Sequence, residues 1–305
     1  MNVQPYHCFN TVVARVVRLS PHFVRVTFTG DELAHFCVDG PDQRIKLMLP
    51  LPDGSVTDVG QLDETTPVRE WYTRWRMLPD TDRNPLRTYT VRAWRPELRE
   101  IDVDFVLHGI HGPASAWASS AVPGQQMVVI GPDARAKDRG GFEWKPGAAT
   151  NVLIGGDETA GPAICAIVES LPQAVRGDVF IEVPTAADAM PLTTSAGINI
   201  SWLARNDASH GERLGAAIRE WGSRRLSTGC GDHLASPGQA YPFEESDASE
   251  TLWEVPEQSS SADYAWLAGE SRTITALRRY LVRDLNIDRG SVAFMGYWRL
   301  GRAES

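Results

Sequence analysis

Six consecutive residues, Arg87-Thr88-Tyr89-Thr90-Val91-Arg92, place two cations, a phenol ring and two hydroxyls on one short stretch. On a strand, successive side chains point to opposite faces. Arg87, Tyr89 and Val91 then share one face, and Thr88, Thr90 and Arg92 the other. A guanidinium binds phosphate oxygens as a fork. A phenol ring offers a flat surface to another ring, and a nearby hydroxyl can hydrogen-bond a ring nitrogen. Together these are the needs of a dinucleotide that carries a flavin ring. An ordinary strand with a surface arginine pair reads the same way, so the segment is informative only alongside others.

A second segment, Leu107-His108-Gly109-Ile110-His111-Gly112-Pro113-Ala114-Ser115-Ala116-Trp117-Ala118, runs from a strand through glycines into a helix with proline at its start. The first amides of a helix have no partner within it, and the helix dipole favours an anion there. Ser115 adds a hydroxyl, and His108 is a candidate for phosphate or adenine; a structural histidine is the alternative. A third segment, Gly155-Gly156-Asp157-Glu158-Thr159-Ala160-Gly161-Pro162, again follows a strand and opens a helix. It lacks the GxGxxG fingerprint. Thr159 and the amides near Ala160 are candidates for a second pyrophosphate, with Asp157 and Glu158 expected to point away or to cap the helix; a plain strand-to-helix turn is the alternative. Near the end, Trp266-Leu267-Ala268-Gly269-Glu270 and Gly296-Tyr297-Trp298-Arg299 close two strands at the edge where open α/β sheets bind ligands. Glu270 is equally a cap for the helix that follows, and Tyr297 and Trp298 are equally core aromatics.

These segments need scaffolds. Short alternating runs at Thr11–Leu19, Phe23–Phe28, Arg44–Leu49, Leu86–Trp94, Ile101–Leu107 and Met127–Ile130 predict a small antiparallel barrel with one helix over Ala114–Ser120. After residue 150 strands and helices alternate. Strands are expected at Val152–Ile154, Val179–Val183, Ile198–Leu203, Tyr264–Ala268 and Val292–Met295, and helices over Thr159–Leu171, Arg213–Trp221 and Arg272–Asp284. That rhythm predicts a parallel sheet covered by helices. The expected fold is thus α+β with two domains: a six-stranded-type antiparallel β-barrel over 1–132, a linker over 133–149, and an α/β nucleotide-binding domain over 150–305. A Ser-, Gly- and Glu-rich insertion is expected near 223–263.

The 305 residues are 42% hydrophobic and 23% charged, which fits a globular chain of about two domains. A net charge of −9 argues against a dedicated nucleic-acid binder. No apolar run is long enough to cross a bilayer, and the first residues do not form a signal peptide, so the expected compartment is the cytoplasm. The four cysteines have no CxxC or iron–sulfur spacing and are expected to be free thiols.

Taken together, the segments resemble the siderophore-interacting protein family, the ferric-siderophore reductases, over nearly the whole chain. The matching stretches also include Leu19-Ser20-Pro21, Arg25-Val26-Thr27-Phe28-Thr29-Gly30, Lys46-Leu47 and Asp104-Phe105-Val106-Leu107-His108-Gly109. The resemblance implies FAD on the barrel and NADPH or NADH on the second domain, with the flavin between the two, as in ferredoxin-reductase-like flavoenzymes. The implied cofactor-binding set is Arg87, Thr88, Tyr89, Thr90, Val91, Asp104, Val106, His108, Gly112, Pro113, Ala114 and Ser115, then Gly156, Asp157, Glu158, Thr159, Ala160 and Glu270. Lys46, Arg92 and Arg299 are the candidate substrate contacts. Arg69, Arg74, Arg76, Arg83 and Arg95 surround Arg92 in sequence as a possible anion patch, alternatively a solvated face paired with Glu70, Asp80 and Asp82. Two departures stand out: Gly161 replaces a commonly larger apolar residue, and the 223–263 insertion is long.

The implied substrate is a small-molecule ferric siderophore. No nucleic acid, membrane insertion or obligate protein partner is expected. Hydride arrives as two electrons and iron(III) accepts one, a conversion that flavin chemistry provides. Reduction weakens the grip of hard oxygen donors, which releases the metal. Without a cluster of its own, the chain is expected to reduce the chelate directly from flavin, with no indispensable general acid or base. Three alternatives stay open: a general flavin or ferric reductase, a non-catalytic siderophore-binding module, and an electron donor to a protein. Arg205 favours a 2′-phosphate and Glu182 an unphosphorylated ribose, so the nucleotide is undecided.

Overall fold

The computed structural model describes residues 3–108, 112–227, 253–256 and 261–301. Strands of the first unit form where β-branched and aromatic residues alternate with polar ones. They are β1 (Tyr6–Ser20), β2 (Phe23–Thr29), β3 (Arg44–Met48), β4 (Leu86–Thr90), β5 (Ala93–Arg95), β6 (Glu100–Val106) and β7 (Gln126–Pro132). Two helices accompany them, α1 (Val68–Met77) and α2 (Pro113–Ser119). All pairs are antiparallel, in the order β4-β3-β7-β1-β2-β6-β5.

The two ends of that order are neighbours in sequence, joined only by Val91 and Arg92. Leu86–Arg95 is therefore one bent strand. Its first half pairs with β3 and its second with β6, which closes the sheet into a barrel of six strands. Across the closure, the Tyr89 ring lies 4.4 Å from that of Phe105. The interior holds Phe9, Val26, Phe28, Ile45, Leu47, Ile101, Val103, Phe105 and Val129. Each such side chain stabilises the fold by about 1.5–3 kcal/mol.

Helix α1 was not expected. It covers a second apolar patch, where Trp71 and Trp75, one turn apart, pack with Cys8, Met48, Leu86, Val128 and Ile130. The Trp75 indole donates to the Asn84 carbonyl at 2.8 Å.

The first unit extends to Phe142 and the second begins at Glu143. Residues 133–142, expected as linker, belong with the barrel because their backbone is tied to it. Asp133 bridges Phe36, Ala134 N–H donates to the His35 carbonyl, and Arg44 N–H donates to that of Gly141.

The second unit contains β8 (Asn151–Gly156), α3 (Gly161–Ser170), β9 (Arg176–Val183), β10 (Gly197–Ala204), α4 (Glu212–Ser227), β11 (Trp253–Glu254), β12 (Asp263–Glu270), α5 (Ser271–Arg279) and β13 (Val292–Trp298). A wider, π-helical turn, Tyr280–Asp284, continues α5. The sheet order is β10-β9-β8-β12-β13-β11. Five strands are parallel; β11 runs antiparallel to β13 at the edge, which makes the sheet mixed. From β8 the chain winds one way through β9 and β10. It then returns through β12 and β13, so the topological switch lies between β8 and β12.

Most of the 223–263 insertion lies outside the described residues, as do 109–111 and Cys230. Within its bounds, α4 continues to Ser227 and β11 forms. Cys8, Cys37 and Cys165 form no disulfide among the described residues. No helix among the described residues is long and apolar enough to cross a membrane.

Candidate functional site

In the first unit, Arg87 and Tyr89 stand opposite Leu47 and Ile45 of β3, on the face that lines the core. Both are half-buried, on the strand that leads to the bend closing the barrel. An aromatic chain links this strand to α2: Tyr89 meets Phe105 at 4.4 Å, and Phe105 meets Trp117 at 5.5 Å between centroids. The two segments singled out in the sequence are thereby brought together. The start of α2 has no side-chain cap, with Gly112 extended before Pro113. Nothing among the described residues lies within 4 Å of where a Cβ on Gly112 would stand. Ser115 is buried, and its hydroxyl accepts the His108 N–H at 3.0 Å, while the His108 side chain is exposed. Among the described residues, the Arg87 guanidinium donates to the Leu86 carbonyl at 2.8 Å. A half-buried cation, a ring surface and an uncapped helix start form a donor set that fits a dinucleotide with an aromatic ring.

Other expected residues lie elsewhere. Lys46 pairs with Thr88 across β3 and β4 and donates to its hydroxyl at 3.0 Å, on the face opposite Tyr89. Thr90 is buried on that same face. Asp104 belongs to a row of carboxylates, Glu100, Asp102 and Asp104, on the outer face of β6. Arg25 binds Asp104 as a fork at 2.7 and 2.8 Å, and the Arg92 Nε lies 3.8 Å from it. Arg95 binds Asp102, and Arg15 binds Glu100. Burial works to raise the Asp102 carboxyl, but bonds from Arg95 and Thr27 overcome it and hold it low. Asp104 therefore anchors Arg92, and Val106, half-buried at the end of β6, pairs with Phe23. The arginine patch is not one surface. Arg92 and Arg95 join the β6 row, while Arg74 pairs with Glu70 and Arg83 with Asp80.

In the second unit, Asp157, Glu158, Glu182, Arg205, Glu270 and Trp298 gather at the carboxyl ends of the parallel strands. Arg205 donates to both oxygens of Glu158 at 2.8 Å and to Glu182 at 3.3 Å. Glu182 also accepts the Gly211 and Leu214 N–H groups and so caps α4. Burial pushes Glu158 up, but the bonds and charge of Arg205 prevail, and it is held below the usual carboxylate range. Asp157 and Glu158 are both buried, because each finds enough donors there, and neither caps α3, whose start has no side-chain cap. Glu182 and Arg205 are both buried within this network and bonded there.

The expected pyrophosphate turn also differs. The Thr159 amide donates to Asp157 Oδ1, and the Ala160 and Gly161 amides to the Asp157 carbonyl; Pro162 has no N–H. The Thr159 hydroxyl donates to Asp157 Oδ1 at 2.5 Å. These donors are already satisfied within the turn, and Gly156, Ala160 and Gly161 are buried. The residues do not fit a phosphate cradle of the expected kind. Glu270 caps α5 by accepting the Arg272 and Thr273 N–H groups at 2.8 and 2.9 Å. Arg299 follows β13, half-buried.

Burial, followed by the charge of Glu158, pushes the Asp157 carboxyl up to about 6, against the bonds it accepts from Thr159, Trp298 and Glu270. Its ordinary value is about 3.9. The folded state therefore holds this proton more tightly than the unfolded chain. The stability it adds is complete below about pH 4 and is lost as the pH rises through about 6. Thermal unfolding of wild type and Asp157→Asn between pH 4.5 and 7.5 is expected to show the wild-type advantage shrinking as pH rises. A gap that widens would contradict this.

Comparison with known proteins agrees with this layout. Residues 12–136 match the family described as the siderophore-interacting FAD-binding domain, and residues 149–301 match the siderophore-interacting protein family. Ferric vibriobactin reductase ViuB of Vibrio cholerae is 31% identical over 286 residues, covering 94% of this chain and 87% of that protein. An uncharacterised protein of Mycobacterium tuberculosis is 33% identical over 304 residues, covering 99% and 93%. Among solved structures, the siderophore-interacting protein SipS of Aeromonas hydrophila superposes with a TM-score of 0.65 at 28% identity, covering 98% of this chain and 94% of that one. A siderophore utilization protein from T. fusca superposes at 0.69 and 25% identity, covering 99% and 96%. A ferredoxin reductase of carbazole 1,9a-dioxygenase, 13% identical with a TM-score of 0.58, shares the two-domain fold. With both of its units matched and relatives alike over nearly their whole length, the chain belongs to the siderophore-interacting protein family.

Proposed function

We propose that this protein is an FAD-dependent reductase that passes electrons from NADPH or NADH to a ferric siderophore and releases iron(II), working in the cytoplasm. The observation that carries the reading is the chain of ring contacts from Tyr89, on the same face of β4 as Arg87, through Phe105 to Trp117 of α2, a helix whose start has no side-chain cap. Similarity to a protein named as a ferric vibriobactin reductase supports the acceptor.

When bound, FAD supplies the exchange between two-electron and one-electron transfer. In this reading Arg87 and the first amides of α2 hold the pyrophosphate, and Gly112 leaves the backbone room to approach it. Tyr89 lies against the ring system, its own position fixed by Phe105. Asp104 lies 3.8 Å from the Arg92 Nε, and Arg92 and Lys46 attract the anionic chelate to the first unit, while Arg299 is a candidate anion contact of the second. No side chain is assigned as a general acid or base. The reduced nucleotide is taken at the carboxyl ends of the second unit's strands, the edge at which open α/β sheets bind ligands.

Two measurements test the reading. Purified protein is expected to take up one FAD per chain, and initial rates on ferric siderophores are expected to exceed those on simple ferric chelates. Equal rates would make it a general ferric reductase. Flavin uptake without turnover would make it a binding module.

A further inference from the structure

Resting on the reading that this chain takes a nicotinamide nucleotide, we propose that Asp157 is a positioning residue that aims the Trp298 indole over the carboxyl ends of β8, β12 and β13, and that this indole is the surface on which the nucleotide's flat ring rests.

Three features build the arrangement. First, Asp157 is buried, and its Oδ2 accepts both the Trp298 indole N–H and the Glu270 backbone N–H at 2.8 Å. One carboxylate thus ties the ends of three neighbouring strands. Second, the pairing of β12 with β13 slips by one residue at this point. Gly269 stands opposite Gly296 but Glu270 opposite Trp298, which leaves Tyr297 as an extra residue. Such a bulge bends its strand and re-aims the side chain that follows. Third, Gly269 has φ +146°, and a Cβ there would lie 2.6 Å from Asp157 Oδ2. Only glycine lets the carboxylate approach this closely.

The indole so held is half-buried, and the His210 ring meets it edge-on at 5.1 Å. A flat aromatic surface fixed at the ligand edge of a parallel sheet suits stacking with a heteroaromatic ring. The satisfied amides of Thr159, Ala160 and Gly161 leave ring contact as the better supported mode of recognition.

The test follows indole N–H signals in ¹⁵N-labelled protein. The chain has ten tryptophans, and the signal missing from Trp298→Ala identifies Trp298. In wild type, adding NADPH or NADH is expected to shift that signal, and Trp298→Ala is expected to bind nucleotide about tenfold more weakly, the loss of one stacking contact. In Asp157→Asn the free-state signal is expected to move and its response to nucleotide to shrink. If other signals move with nucleotide while that of Trp298 stays, the ring contact is refuted. If Asp157→Asn leaves the Trp298 signal in place, the positioning role is refuted. If no signal moves with either nucleotide, nucleotide binding itself fails, and the Asp157→Asn comparison still decides the aiming of Trp298. Should Asp157→Asn not fold, the wild-type titration and Trp298→Ala decide the ring contact.

Discussion

Arg87→Ala is expected to purify with little or no flavin. The side chain is half-buried, and among the described residues its guanidinium donates to its neighbour's carbonyl. Removing it therefore costs the fold little. It takes away the one cation that the core-facing side of β4 offers to a pyrophosphate. A hydrogen bond to a charged group contributes about 1.5–3 kcal/mol, so FAD should bind roughly 10- to 100-fold more weakly. Flavin content after gel filtration and a fluorescence titration with FAD measure this, and thermal unfolding of the apoprotein should stay within a few degrees of wild type. Full retention of FAD would remove Arg87 from the site.

Arg205→Ala is expected to destabilise the second unit severely. The guanidinium is held by Glu158 and Glu182, whose side chains have no exposed surface. Alanine leaves two buried carboxylates without their cation. Breaking a buried pair in this way costs about 3–5 kcal/mol, which in a domain of this size lowers the midpoint by about 10 °C. Glu182 would also lose the partner that fixes it at the start of α4. Adding Glu158→Gln to Arg205→Met should recover part of the loss, because the remaining groups no longer include that uncompensated charge. If thermal unfolding shows no change in Arg205→Ala, the network is not holding the strand ends together.

Much of this arrangement was legible in the sequence, for physical reasons. The alternation across Arg87–Arg92 fixed which side chains share a face, and β3 pairs with β4 in the register that puts Arg87 and Tyr89 on the core side. Pro113 after Gly112 marked the helix start. The contact between those segments was not legible, because Phe105 and Trp117 join them through space. Helix α1 was missed although Trp71 and Trp75 sit one turn apart, since Thr- and Pro-rich stretches flank so short an element. The inward turn of Asp157 and Glu158 depends on Trp298 and Arg205, which follow them by more than forty residues. Only the fold brings those donors to them. Glu270 was the opposite case: its place just before a helix announced a cap, and it is one.

The most direct test of the account is an anaerobic visible spectrum of the FAD-loaded protein, first with NADPH or NADH and then with a ferric siderophore. The account predicts that the flavin bands bleach with nucleotide and return on adding the chelate, while a ferrous-iron indicator develops colour in proportion. Bands that stay oxidised with both nucleotides, or that bleach and do not return with any ferric siderophore, would contradict it.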